Sequence, residues 1–164
     1  MLEPTDAMIL LVPALPIAIW AAVSDLKRMK IPNTSVIAMA AIWPVIGWLL
    51  VPWTAWFWGL ALMAIVFVAG FLLYLTGTFG AGDAKYAAAM AGLFVGGNIG
   101  AILLIVFLSM IGSLFIHRLL RSIPAVRQAT PDWTSWTEKR YFPFGLALSA
   151  ILVFYLLAAI WPQV

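Results

Sequence analysis

Two aspartates stand where the surrounding sequence makes a carboxylate costly. Asp25 closes a long apolar run, and Asp83 lies in GTFGAGDAKYAAAMAG, residues 77–92, between two stretches with few polar side chains. Ionisable groups placed against hydrocarbon are expensive and mark function by default. The chain has six acids. Glu3 and Asp6 lie near the amino terminus, and Asp132 and Glu138 lie in a polar stretch where solvation accounts for them. Asp25 and Asp83 remain. Two carboxylates brought together cannot both ionise cheaply and share one proton, so one can activate water while the other protonates a carbonyl oxygen. That is acid–base chemistry for hydrolysing a peptide bond.

Each aspartate also has a plainer reading. Asp83 precedes the helix-forming run AKYAAAM and suits an N-cap, its carboxylate accepting a backbone N–H. Asp25 is at the carboxyl end of its segment, where the helix dipole disfavours an anion, and Lys27 and Arg28 offset part of that cost. On dipoles alone, Asp83 is the more readily ionised and Asp25 the proton holder. Gly77, Gly80 and Gly82 strip side chains from around Asp83, so a substrate backbone can approach and the turn can adopt positive φ. With no cysteine and a single histidine, His117, thiolate and multi-histidine metal sites are excluded. No metal and no cofactor is expected.

The elements that must position these residues follow from composition. Of 164 residues, 65% are hydrophobic and 9% charged, with a mean hydropathy of +1.09. Soluble domains carry about 25% charged residues, so this is a membrane protein. A hydrocarbon core of about 30 Å needs about 20 apolar residues per helix. Six runs qualify, at 7–23, 34–51, 53–75, 84–97, 98–116 and 144–161. The reading is an all-α polytopic protein of about six spans, one membrane-embedded unit over 1–164 with no soluble domain. The fourth run is short and bounded by glycine, which leaves open five spans with a re-entrant piece. Pro44 and Gly47 predict a kink in the second span. The first run follows Glu3 and Asp6 with no base before it, unlike a cleaved secretory signal, so it is expected to be retained.

Bases fall in three clusters: Lys27, Arg28 and Lys30; Lys85; and Arg118, Arg121, Arg127, Lys139 and Arg140. With six spans these connections share one side, which the positive-inside rule makes cytoplasmic, putting both termini outside. Asp25 and Asp83 then meet the membrane at the same inner edge. Trp53, Trp56 and Trp58 at the outer edge, and Trp133 and Trp136 in the inner connection, fit interfacial anchoring. The long connection, 117–143, mixes apolar residues with bases and reads equally as a segment on the inner membrane surface or as a solvated loop. The net charge of +3 points to anionic lipid rather than nucleic acid.

Asp25 with IPN at 31–33, followed by GAGDAK at 80–85, resembles the type IV prepilin peptidases, membrane aspartic peptidases with a GxGD motif. The block YFPFG at 141–145 is similar to the family's proline–glycine block before the last span. The resemblance implies removal of a short basic leader from pilin or pseudopilin precursors at the cytoplasmic face of the inner membrane, by a metal-free pair. The family's catalytic aspartates map onto Asp25 and Asp83, with Gly80, Gly82, Lys85, Pro32, Asn33, Pro143 and Gly145 as motif support. Lys85 could pair with Asp83 or with a lipid phosphate; Pro32 and Asn33 would shape the turn into the second span. Pro143 and Gly145 would shape the start of the last span and could help seat substrate. Longer members carry a cytoplasmic domain with paired cysteines associated with methylation. Without cysteines, this chain resembles the short peptidases of tight-adherence (Flp) pili or the archaeal preflagellin relatives, and peptidase activity without N-methyltransferase activity is expected. Leu146 stands where the family often has proline. The rival reading is an ion- or proton-conducting transporter subunit using Asp25, Asp83 and Lys85.

Overall fold

The computed structural model describes residues 2–138 and 141–161, which are largely helical with no strand among them. Among the described residues, four helices are long and apolar enough to cross a membrane: α1 (Pro4–Arg28), α2 (Asn33–Leu50), α3 (Trp53–Leu75) and α5 (Ile99–Ser122). Between the last two lies the short α4 (Ala81–Ala91), extended by a 3-10 turn at Gly92–Phe94. After α5 come the brief α6 (Pro124–Ala129) and the apolar α7 (Phe144–Ile160). The chain is an all-α polytopic membrane protein.

Side-chain size decides which helices sit inside. The buried face of α1 carries Ala7, Leu10, Ala14, Ala18 and Ala21 at helical spacing, and α7 lies along it with Ala147, Leu148, Ile151, Leu152, Tyr155 and Ala159 turned inward. In lipid, where apolar burial drives little, small residues permit the close backbone approach that favours helix association. The opposite face of α1 exposes Met8, Ile9, Val12, Ile19 and Trp20. α4 is enclosed by α2, α3 and α7 and buries Ala84, Tyr86 and Ala88 to Ala91. At 11 residues it is too short to span the hydrocarbon alone. Surrounded by protein, it has no need to.

The expected bend in the second span takes the form of a π-helical turn at Trp43–Gly47. Pro44 offers no N–H to the regular ladder, and the turn widens to accommodate it. The widening delivers Trp43 into the core, where it is fully buried with its indole N–H donating to the Trp56 carbonyl at 3.0 Å. The ring lies against Gly47, Gly59 and Gly92, where a methyl group would collide with it. One aromatic ring thus locks α2, α3 and the end of α4 together.

The 117–143 stretch, read equally as a surface segment or a solvated loop, is partly helical over its described residues. α5 continues to Ser122, α6 follows, and a 3-10 turn occupies Thr134–Trp136. Trp136 is no interfacial anchor: it is buried, donates to the carbonyl and hydroxyl of Thr130 at 3.1 and 3.0 Å, and stacks on His117 at 5.3 Å. Trp133 stacks on Trp136 in turn, at 5.4 Å. Of the three tryptophans expected at the outer edge, Trp53 and Trp58 are exposed and Trp56 is half-buried. Lys139 and Arg140, two of the bases used to orient the chain, lie outside the described residues.

Candidate functional site

Asp25 lies in the last turn of α1 and is 4% exposed. The helix ends at Met29, whose N–H returns to the Asp25 carbonyl at 2.7 Å and whose backbone is left-handed, with φ 52° and ψ 38°. A non-glycine residue there is strained, by roughly 1–2 kcal/mol. The strain turns the chain sharply. Ser24 closes the turn by donating its hydroxyl to the Lys30 carbonyl at 3.0 Å. Pro32 then precedes α2 at the N-cap position with φ −64°, and the Ser35 hydroxyl and the Val36 N–H both donate to its carbonyl. Asn33 is the first helical residue, exposed on the same cavity as Asp25.

Asp83 reaches this place from the other direction. α3 ends at Leu75, and Gly77 takes the left-handed conformation at φ 74°, its N–H bonding the Tyr74 carbonyl at 2.9 Å. Thr76 and Thr78 both donate to the Leu73 carbonyl, at 2.7 and 3.1 Å, so the turn is pinned from two sides. Gly80 is the N-cap of α4, and Asp83 is the third helical residue, not the cap itself. Its carboxylate accepts from the Gly80 N–H, the reciprocal half of a capping box. Positive φ is therefore needed only at Gly77; Gly80 is extended and serves by its size, since a Cβ there would run into the Asp83 carboxylate, while a Cβ at Gly82 would make only ordinary contacts with Ile31.

The block at 141–145 supplies a third wall. Pro143 is fully buried at the N-cap of α7, and Gly145, the second helical residue, donates its N–H to Asp25 Oδ2 at 2.7 Å. Helix dipoles consequently fail to separate the two acids: Asp25 faces the amino end of α7 as Asp83 faces that of α4, so the expected division into ionised Asp83 and proton-holding Asp25 loses its basis.

Asp25 and Asp83 open on one cavity of about 890 Å³ and are near enough for their charges to act on each other. Lys30 and Lys85 stand exposed at its edge, and Glu138 also lines it. One side is aromatic: Phe79 meets Phe144 edge-on at 5.2 Å, Phe144 meets Phe142 at 6.0 Å, and Phe142 meets His117 at 5.7 Å. Ile31, Phe142 and Phe144 entered the sequence reading only as parts of the IPN and YFPFG blocks, and Ser24 and the joining of these aromatics into one wall were not singled out. Besides its place in IPN, Ile31 is an isolated apolar residue between a basic run and a proline, while the aromatic run joins residues far apart in the chain. Among the described residues no group of three or more His, Cys, Asp or Glu side chains gathers to hold a metal.

Such an arrangement defines a class: a polytopic membrane protein with an acid-bearing cavity where five helix ends converge. The pattern of the type IV leader peptidase family matches residues 13–117, and the chain belongs to that family. Membership makes it a peptidase, with pilin precursors in general as substrates. The matched stretch includes Asp25, Pro32, Asn33, Gly80, Gly82, Asp83 and Lys85 and stops before Pro143 and Gly145. Neither a curated protein nor a solved structure matches the chain.

Proposed function

We propose that the chain is a membrane aspartic endopeptidase in which Asp25 and Asp83 form the catalytic pair, and that it removes the short basic leader of pilin or pseudopilin precursors. The observation that carries this reading is the opening of two carboxylates, from opposite ends of remote helices, on one cavity. One carboxylate takes a proton from water as the oxygen attacks the scissile carbonyl, and the other, protonated, gives its proton to the carbonyl oxygen. As the tetrahedral intermediate collapses, the departing amine takes a proton from the pair, and the carbonyl re-forms. A substrate helix must unwind locally to expose its carbonyl, and the absence of side chains at Gly80 and Gly82 leaves room for that.

The site faces the cytoplasm across the inner membrane, with both termini periplasmic, because the bases Lys27, Arg28, Lys30 and Lys85 gather at the cavity end. Lys85, at the cavity edge, contacts substrate or lipid phosphate. The chain acts without N-methyltransferase activity, having none of the cysteines associated with that step in longer relatives. Co-expression with a pilin precursor tests the pair: Asp25→Asn and Asp83→Asn should each abolish processing while the protein still accumulates in the membrane. Full processing by either variant would refute it, and proton flux through liposomes lost in Asp25→Asn would favour a conducting subunit instead.

A further inference from the structure

Asp25 has a difficult position. Its own helix ends beside it, and the last carbonyls of α1 oppose a negative charge there. The structure answers from outside the helix. α7 is directed amino end first at the same carboxylate, and the N–H of Gly145, one of the donors its helix leaves unused, bonds Oδ2 at 2.7 Å in a buried setting. That approach is possible only without a side chain at 145. A Cβ there would stand 2.9 Å from Asp25 Cβ, 3.0 Å from Asp25 Oδ2 and 3.1 Å from Ile31 Cδ1. The contact with Asp25 Cβ is closer than real Cβ atoms tolerate, and that atom is fixed by the backbone of α1, so it cannot swing aside as the end of a side chain could. Pro143, fully buried at the N-cap, fixes where the helix begins and hence where this N–H points.

We propose that Gly145 is a positioning residue for Asp25. Its N–H holds Oδ2 and so fixes the rotamer of the carboxylate, and the proton that Asp25 exchanges during hydrolysis is carried on Oδ1. Ile31, packed against the backbones of Gly145 and Gly82 together, sets the spacing between the α7 end that orients Asp25 and the α4 end that carries Asp83. This rests on the reading of Asp25 and Asp83 as the catalytic pair. The proline–glycine block thereby acquires a chemical role, which is to supply a main-chain donor to an acid more than a hundred residues earlier and not to contact substrate.

The test removes the donor without adding an atom. Replacing residue 145 by glycolic acid turns its amide into an ester, and the enzyme is assayed in nanodiscs on a fluorogenic peptide spanning a basic leader and the start of an apolar pilin helix. A hydrogen bond to a charged group predicts a fall in kcat of about ten- to a hundredfold with KM unchanged. In an Asp83→Asn background with isotope-labelled aspartate, the ester should also shift the infrared carboxyl band assigned to Asp25 by its loss in Asp25→Asn. Gly145→Ala should lower kcat in the same way. A kcat within twofold of wild type and an unmoved band, with Asp25→Asn inactive, would overturn the positioning role and leave the pair standing. Activity retained by Asp25→Asn would remove the pair and the positioning role with it.

Discussion

The hydroxyl of Ser24 donates to the carbonyl of Lys30 at 3.0 Å, closing the turn that begins at the neighbouring Asp25. This bond fixes the chain direction just after the carboxylate and delivers Ile31 into the space between α4 and α7. Ser24→Ala is expected to cost about 1 kcal/mol of stability, the usual net worth of one hydrogen bond, and to slow precursor cleavage severalfold. Thermal unfolding in detergent and a cleavage time course check both.

Met29 carries left-handed backbone strain at φ 52°. Glycine adopts that conformation freely, whereas a β-branched residue is the least able to. Met29→Ile should therefore destabilise the folded protein by more than about 1 kcal/mol, and Met29→Gly should be at least as stable as the parent. A higher melting temperature for the isoleucine variant would contradict the geometry.

Trp43 is fully buried among α2, α3 and the end of α4, with its indole bonded to the Trp56 carbonyl. Truncation leaves a large void, so Trp43→Ala should cost about 3–5 kcal/mol. The expected readout is loss of monodisperse protein in detergent. Gly92→Leu should fail for the opposite reason, by driving a side chain into the ring.

His117 stacks on Trp136 and meets Phe142 edge-on, and Phe142 continues through Phe144 to Phe79 on the cavity wall. Aromatic pairs of this kind contribute about 0.5–1.5 kcal/mol each. His117→Ala should loosen that wall and raise KM severalfold with kcat little changed, while His117→Phe should retain most of the affinity. Equal kinetics for His117→Ala and wild type would show that the wall does not depend on the stack.

The chain has no cysteine, so single cysteines can report sidedness without a background. Cysteine at Thr78 or Lys30 should react with impermeant maleimide only when the cytoplasmic face is opened, and cysteine at Glu3 from the periplasmic face of intact spheroplasts. Labelling of position 78 from outside would reverse the orientation.

Hydrophobic runs and the breaks between them were enough to establish the all-α membrane character, because a bilayer requires long apolar helices whatever their arrangement. The types and spacing of Asp25, IPN and GAGDAK marked the candidate chemistry, since a carboxylate beside hydrocarbon has few other uses. What the chain order could not supply was proximity. That α4 is an enclosed helix, that Trp43 joins three elements, and that Gly145 donates to Asp25 depend on contacts between residues distant in sequence. Local pattern reports which face of a helix is apolar; it carries no record of which other helix end will approach that face, and only close packing of small side chains decided that.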